Sequence, residues 1–225
     1  MGINSIPVIA IDGPSASGKG TVAQRVSGSL GFHYLNSGTL YRLVALVATR
    51  TGVDLADEEV LANIAVHLNV TFEDTEIRLG SEDVANIIRT ETCGNGASKI
   101  ATHSQVRKAL LGRQRAFRRN PGLVAEGRDM CSVVFPDATL KIFLVASTES
   151  RAQRRYKQLM EKGADVNITT ILQDIRERDA RDSSRSVAPL KQGTDSSFID
   201  TTLLNITEVV NEILRRYTEI CAKNV

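Results

Sequence analysis

The sequence has 225 residues, 42% of them hydrophobic, so the chain can bury the core of one domain or of one domain with insertions. Its 28 basic and 26 acidic residues leave a formal charge of only +2, which argues against nucleic-acid or membrane binding through an overall positive field. Cys93, Cys131 and Cys221 are odd in number and far apart, which argues against a disulfide framework or a thiolate metal site.

The N-terminal half predicts a strand, a helix and an insertion. Residues 6–11 form a short apolar run that ends at Asp12-Gly13, as expected for a buried strand of a parallel sheet. Residues 21–30 then show helical periodicity. A helix-like stretch around residues 57–64 gives way to alternating polar and apolar residues at 67–84, which predict a small β-rich insertion within residues 52–89.

The C-terminal half predicts alternating helices and strands. Apolar runs at residues 122–125 and 139–145 indicate two more strands. Helical patterns cover residues 105–119, 168–181 and 207–217, and Ser147 is a candidate N-cap for an arginine-rich helix that begins near Glu149. The alternation predicts a doubly wound α/β fold with a parallel sheet, whose ligands gather at the carboxyl ends of the strands.

A glycine-rich segment, GPSASGKGT at residues 13–21, lies between the first predicted strand and the first helix. Small residues there let backbone N–H groups converge on phosphate oxygens at a helix N-terminus, and the lysine supplies a mobile cation. The usual P-loop has Ser or Thr directly after the lysine, whereas Gly20 stands there in this chain, a variant that resembles nucleoside monophosphate kinases. The predicted ATP-binding residues are Gly13, Pro14, Ser15, Ala16, Ser17, Gly18, Lys19, Gly20 and Thr21.

Three further segments carry groups suited to a second phosphorylated substrate. NSGTLYR at residues 36–42 places an arginine inside a predicted helix, and EGRD at residues 126–129 follows a predicted strand. Arg178, Arg181, Asp182 and Arg185 share one helical face if that helix persists. A solvated, ion-paired helix face would also explain this last group taken alone. The chain has no N-K-x-D segment, which disfavours a guanine-reading switch.

At this point the chain resembles the bacterial cytidylate kinases, a family of P-loop nucleoside monophosphate kinases. The resemblance covers nearly the whole chain and rests on NSGTLYR, EGRDMCSVVFPDATLKIFLVAS and RERDARDSSRSVAPL. It implies transfer of the γ-phosphoryl group of ATP to CMP, and to dCMP as well, in pyrimidine nucleotide metabolism. Asn36, where the family often has Asp, and Cys131, where it usually has Gly, depart from the pattern.

The resemblance also implies a division of the chain and a set of partners. A P-loop core would comprise residues 1–36, 109–150 and 186–225, with an insertion that binds the nucleoside monophosphate at 37–108 and a lid at 151–185. ATP and CMP or dCMP would be its small-molecule substrates, with no nucleic acid and no membrane. We expect a cytoplasmic monomer, since the sequence shows neither a bilayer-spanning run nor signal-peptide flanks.

Residue roles follow from the same resemblance. A carboxylate such as Asp129 accepts from the amino group of cytosine, where uracil has an oxygen. The implied catalytic residues are Lys19, Arg128, Arg155 and Arg185, and Mg²⁺ would arrive with ATP, with Thr21 on or near its coordination shell. The implied CMP-binding residues are Ser37, Ser98, Arg107 and Asp129 at the base, Arg178 and Asp182 at the sugar, and Arg42, Arg128 and Arg185 at the phosphate.

Three alternatives stay open from the sequence alone. The nearest is a related kinase that prefers UMP, dCMP or AMP. A second is a small-metabolite kinase similar to shikimate kinase, whose acceptor lacks a phosphate and would not need three arginines. The third is a regulatory module that binds ATP and phosphorylates no acceptor.

Overall fold

The computed structural model describes residues 6–73, 76–161 and 163–223. The strands in this part of the chain are β1 (Val8–Asp12), β2 (His33–Asn36), β3 (Val70–Glu73), β4 (Glu76–Leu79), β5 (Glu82–Asp83), β6 (Leu123–Gly127), β7 (Leu140–Val145) and β8 (Ser197–Asp200). The α-helices are α1 (Lys19–Leu30), α2 (Ser37–Thr51), α3 (Glu58–Val66), α4 (Glu91–Ile100), α5 (Ser104–Arg115), α6 (Thr148–Met160), α7 (Ile168–Ser184) and α8 (Ile206–Lys223). A 3₁₀ turn lies at Ile87–Arg89 and a π-helical turn at Met130–Val134.

The chain divides into two compact units. Met1–Asn36 and Arg115–Val225 together form the core unit, and Ser37–Gln114 forms the insertion unit. The core unit is therefore built from two separate stretches of sequence, whereas the insertion unit is continuous.

The core unit is built on a five-stranded parallel sheet in the order β2-β6-β1-β7-β8. The central strand β1 is buried along its whole length because it has neighbours on both edges and helices over its faces. Apolar residues of α1 and α8, including Val22, Val26 and Val209, complete this core. The predicted α/β fold with a parallel sheet is confirmed, and residues 6–11, 122–125 and 139–145 correspond to β1, β6 and β7.

The insertion unit has its own hydrophobic core around α2, which buries Leu40, Leu43 and Val44. Helices α3 and α4 pack against α2, and each begins at a side-chain cap: Asp57 accepts from the N–H of Val60, and Thr90 from that of Cys93. Strands β3, β4 and β5 form an antiparallel sheet at the position of the predicted β-rich insertion.

The sequence patterns missed three elements and misjudged some helix ends. Strands β2 and β8 and helix α4 were not predicted. The helix predicted to end at residue 119 ends at Arg115, whereas the last helix continues beyond residue 217 to Lys223. None of the helices within the described ranges combines the length and the apolar character needed to cross a membrane.

Candidate active site

The glycine-rich loop joins the carboxyl end of β1 to the first turn of α1, as the sequence predicted. A β-carbon at Gly13 would lie 2.0 Å from the carbonyl oxygen of Leu144 on the neighbouring strand β7, so no larger residue fits there without a backbone shift. Gly18 has a left-handed backbone (φ 89°) at the N-cap of α1, a conformation that glycine adopts without steric cost. The loop is thus shaped by the sheet beneath it and opens onto a helix N-terminus.

Lys19 is the buried cation of this loop, with 7% of its surface exposed. Its Nζ donates to the carbonyl oxygen of Pro14 at 2.9 Å and lies 4.0 Å from a carboxylate oxygen of Glu126. Burial and, to a smaller extent, the charge of Arg128 lower the lysine pKa to about 7, against the opposing effect of Glu126 and other acidic groups. A lysine in this state gains strongly from an anion that restores its charge, as a nucleotide phosphate would.

Asp12, at the end of β1, ties this strand to the turn that follows β6. Its two carboxylate oxygens accept from the backbone N–H groups of Met130 and Cys131, both at 2.8 Å. Burial raises the carboxyl pKa to about 6, although these two hydrogen bonds favour the ionised form. Asp12 therefore fixes the backbone that carries Arg128 and Asp129.

Arg128 and Asp182 form a largely buried ion pair at the carboxyl end of β6. The Nε of Arg128 donates to Asp182 at 2.6 Å, and the side chains are 22% and 8% exposed. Burial opposes ionisation of Asp182, yet Arg128, Arg185 and Lys19 together hold its pKa below the usual value. The charges of Lys19, Arg128, Asp182 and Arg185 therefore influence one another within the core unit. Asp129, which follows Arg128 in the sequence, is also buried.

The helical stripe predicted around Arg178 is shorter than the sequence suggested. Helix α7 ends at Ser184, and Arg185 follows in an extended conformation (φ −62°, ψ 140°). Its Nε donates to the carbonyl oxygen of Ala188 at 2.7 Å. Arg178, Arg181 and Asp182 are on the helix, whereas Arg185 reaches the Arg128–Asp182 pair from the turn after it.

Two arginines of α6 contact the backbone of the P-loop, and the sequence analysis did not single them out. Nη1 of Arg151 donates to the carbonyl oxygen of Ser15 at 3.1 Å, and Nη1 of Arg154 donates to that of Ser17 at 3.4 Å. These hydrogen bonds connect α6 to the loop and restrain its backbone. The i, i+3 spacing of the two arginines was the available signal.

Arg151 also links α6 to α7. Two of its guanidinium nitrogens donate to the carboxylate oxygens of Asp179, at 2.6 Å and 3.1 Å, and its side chain is only 4% exposed. Arg155, the residue of α6 that the sequence analysis selected, instead donates to Gln158 at 3.3 Å.

The remaining predicted CMP residues belong to the insertion unit. Ser37 is buried at the start of α2, and its hydroxyl oxygen accepts from Nε2 of Gln114 at 2.8 Å. Arg42, further along α2, donates to backbone carbonyl groups of the segment before α4. Arg107 is buried in α5, and Ser98 is half-buried in α4.

Comparison with known proteins decides the family. The sequence model described as cytidylate kinase matches residues 9–219. The chain belongs to the cytidylate kinase family. The cytidylate kinase of Nitrosomonas europaea is 56% identical over 97% of this chain and 98% of its own length, and that of Nitrosomonas eutropha is 57% identical over 95% and 96%.

A solved structure shows the same fold at much lower sequence similarity. A gluconokinase from Sinorhizobium meliloti superimposes with a TM-score of 0.50 and covers 98% of this chain and 97% of its own. Its sequence identity is 12%, so the likeness extends to the P-loop kinase fold alone.

The two departures from the cytidylate kinase pattern are accommodated without strain. Asn36 is the last residue of β2, paired with Glu126 of β6. Cys131 lies in the π-helical turn, and it is not among the described residues with positive φ, which are Ala16 and Ala188 apart from glycines. A residue with a β-carbon is therefore tolerated at position 131.

The metal prediction concerned Thr21, which is exposed at the third position of α1. Within the described residues no three His, Cys, Asp or Glu side chains are grouped so that they could hold a metal. Mg²⁺ bound with a nucleotide takes most of its ligands from phosphates and water and needs only one or two protein oxygens. The Thr21 hydroxyl, an oxygen donor beside the P-loop, fits that limited requirement.

Proposed function

We propose that this protein transfers the γ-phosphoryl group of ATP to CMP, giving CDP and ADP, and that dCMP is also an acceptor. The family match over nearly the whole chain supports CMP as the substrate. The structural observation that carries the proposal is the buried P-loop lysine at the start of α1, which lies 4.0 Å from Glu126 of β6, the strand whose carboxyl end leads to the Arg128–Asp182 pair. Adjacent strand ends of a parallel sheet are where two substrates can meet.

On the ATP side, the N–H groups of residues 13–21 would surround the β- and γ-phosphates, and Lys19 would neutralise their charge. Arg151 and Arg154 support this arrangement because they donate to carbonyl groups of the loop and so restrain its backbone. Arg155 would move from Gln158 to the transferring phosphoryl group.

On the acceptor side, the proposed ligands come from the second stretch of the core unit and from the insertion unit. Asp129 would read the cytosine amino group, and Arg128 and Arg185 would bind the phosphate. Asp182, now paired with Arg128, would share that arginine with the acceptor and contact the sugar together with Arg178. Ser37, Ser98, Arg107 and Arg42 are the proposed ligands from the insertion unit.

In the transfer step an oxygen of the CMP phosphate bonds to the γ-phosphorus of ATP as the bond to the β,γ-bridging oxygen breaks and ADP leaves. The attacking oxygen is already anionic, so no general base is required. Lysine and arginine side chains stabilise the charge on the transferring oxygens. Closure of residues 151–185 as a lid would exclude water from this group.

Mg²⁺ is the cofactor we propose to enter with ATP, with Thr21 directly or through water on its coordination shell. It would supply charge neutralisation to the phosphate groups.

A coupled assay of ADP release tests this function, with ATP and Mg²⁺ fixed and CMP, dCMP, UMP, AMP and GMP offered separately. We expect CMP to exceed UMP by at least about tenfold in kcat/KM, or roughly 1.4 kcal/mol of transition-state discrimination. Lys19→Met should abolish most turnover with every acceptor. If UMP or AMP leads, the acceptor assignment is wrong; if no monophosphate reacts while ATP still binds, the protein is a nucleotide-binding regulatory module.

A further inference from the structure

Lys19 is held in place by two unequal contacts in the core unit. Its hydrogen bond at 2.9 Å goes to a neutral carbonyl group of its own loop, whereas the anionic partner Glu126 lies at 4.0 Å, beyond hydrogen-bond distance. The carboxylate thus attracts the ammonium group without clamping it. A phosphate could take over the charge without breaking a tight ion pair.

The Glu126 carboxylate is held by Tyr34 and bordered by Gly20, and neither Glu126 nor Tyr34 has a role in the proposed mechanism. Glu126 is 4% exposed near the end of β6, level with Ile11 of β1 and Asn36 of β2. The hydroxyl group of Tyr34 on β2 donates to its Oε1 at 3.2 Å. A buried carboxylate with a fixed hydrogen-bond donor has a defined orientation.

Gly20 of the P-loop also lies close to the Glu126 carboxylate. A β-carbon at position 20 would lie 3.2 Å from Oε1 of Glu126 and 3.8 Å from the Tyr34 hydroxyl oxygen. The Ser or Thr that usually follows the P-loop lysine would therefore require the carboxylate to shift by a few tenths of an ångström. The glycine at position 20 lets Glu126 keep its observed position.

We propose that Glu126 is a positioning residue for the P-loop lysine, and that its carboxylate, held by Tyr34 and bordered by Gly20, keeps the Lys19 ammonium group retracted until a nucleotide phosphate replaces it. This inference rests on the proposed role of Lys19 in ATP binding.

Several charged groups act on the Lys19 ammonium group. Glu126 on β6, Asp182 on α7 and Asp12 on β1 attract it, whereas Arg128 at the end of β6 repels it. Glu126 forms the ion pair with Nζ, at 4.0 Å. Removal of the Glu126 charge should therefore leave the lysine held by the Pro14 carbonyl oxygen, without the attraction that places it for an incoming phosphate.

The test compares the dissociation constants for ATP and for CMP, measured by calorimetry at about pH 7, of the wild type and of Glu126→Gln, which keeps the side-chain size and an acceptor for Tyr34. We expect the variant to bind ATP about tenfold more weakly and CMP within about twofold of the wild type, because ATP binding depends on the position of Lys19. Glu219→Gln, at an exposed ion pair on α8, is the matched control and should follow the wild type.

Equal weakening of ATP and CMP binding, or no weakening of either, would show that Glu126 does not position Lys19 and would overturn the proposal. Tyr34→Phe provides a second, milder variant if Glu126→Gln does not fold, with ATP binding about two- to threefold weaker and CMP binding unchanged. Lys19→Met distinguishes the positioning role of Glu126 from the role of Lys19 in ATP binding. If it weakens ATP binding while Glu126→Gln does not, only the positioning role fails; if it binds ATP normally, the role of Lys19 fails as well.

Discussion

Individual residues of the P-loop are constrained more by what surrounds them than by the phosphate-binding motif. Gly13 lies directly over the carbonyl oxygen of Leu144, and Gly20 lies against Glu126. The motif shows that small residues are needed, but the neighbouring strands determine at which position a larger side chain does not fit.

Gly13→Ala should therefore destabilise the protein and weaken ATP binding. Its β-carbon would meet a backbone oxygen at 2.0 Å, and the forced shift of β7 or of the loop should cost about 1–3 kcal/mol. Thermal unfolding should show a decrease of about 2–4 °C for each kcal/mol. Gly28→Ala is the control: it lies in α1 with nothing within 4 Å of the added carbon, and it should raise Tm slightly. Equal effects of the two variants would contradict this steric account.

Site residues differed in how far the sequence could predict them. Lys19 was recognisable because its function depends on local spacing between a strand and a helix. The contact of Lys19 with Glu126 could not be predicted in this way, because it depends on the parallel strand register that places Ile11 beside Glu126. Arg151 and Arg154 were missed for a similar reason, because arginines on a helix usually indicate a solvated face.

At the scale of elements, α6 and α7 are joined by two ion pairs that differ sharply in environment. In the first pair, Arg151 and Asp179 lie 2.6 Å apart, and their side chains are 4% and 25% exposed. In the second pair, Glu149 and Arg176 lie 3.9 Å apart, and their side chains are 70% and 59% exposed. Only the first pair is shielded enough from solvent to contribute substantially to stability.

Asp179→Asn should consequently lower the free energy of unfolding by about 2 kcal/mol. This is below the roughly 3–5 kcal/mol for breaking a fully buried pair, since a quarter of the Asp179 side chain is exposed. Glu149→Gln, at the exposed pair between the same two helices, should leave the urea midpoint unchanged. Urea unfolding of both variants measures the difference, and a comparable loss in Glu149→Gln would argue against burial as its cause.

The elements that the sequence missed share a physical reason. Strands β2 and β8 are the edges of the sheet, have four residues each and are only partly buried, so neither shows a continuous apolar run. Helix α4 contains Gly94 and Gly96, which lower helix propensity but pack closely within the insertion unit. The fully buried strands β1 and β6 were predicted because burial on both faces requires uninterrupted apolar residues.

At the scale of the whole molecule, the two units have separate hydrophobic cores. All the buried residues of the cluster around α2 lie within Ser37–Gln114, and all those of the cluster around β1 lie within the core unit. An insertion with its own core has the physical basis for independent folding.

We accordingly expect the fragment of residues 37–114 to fold by itself. Its far-UV circular dichroism should show helical structure, and its thermal unfolding should be cooperative, as for a small domain with a single core. Leu43→Ala, which removes a fully buried side chain at the centre of this core, should lower the fragment's Tm or abolish the transition. A gradual, non-cooperative melt of the unmodified fragment would show that its core depends on the rest of the chain.

The division of the core unit into two stretches has a consequence for synthesis on the ribosome. Strand β1 pairs with β6 roughly 115 residues later, so the centre of the sheet cannot form until the insertion has been translated. The nascent chain must keep the apolar strand β1 unpaired through that interval, while the continuous insertion can already assemble. The P-loop, although encoded near the start of the chain, thus reaches its functional shape late, when the second stretch arrives.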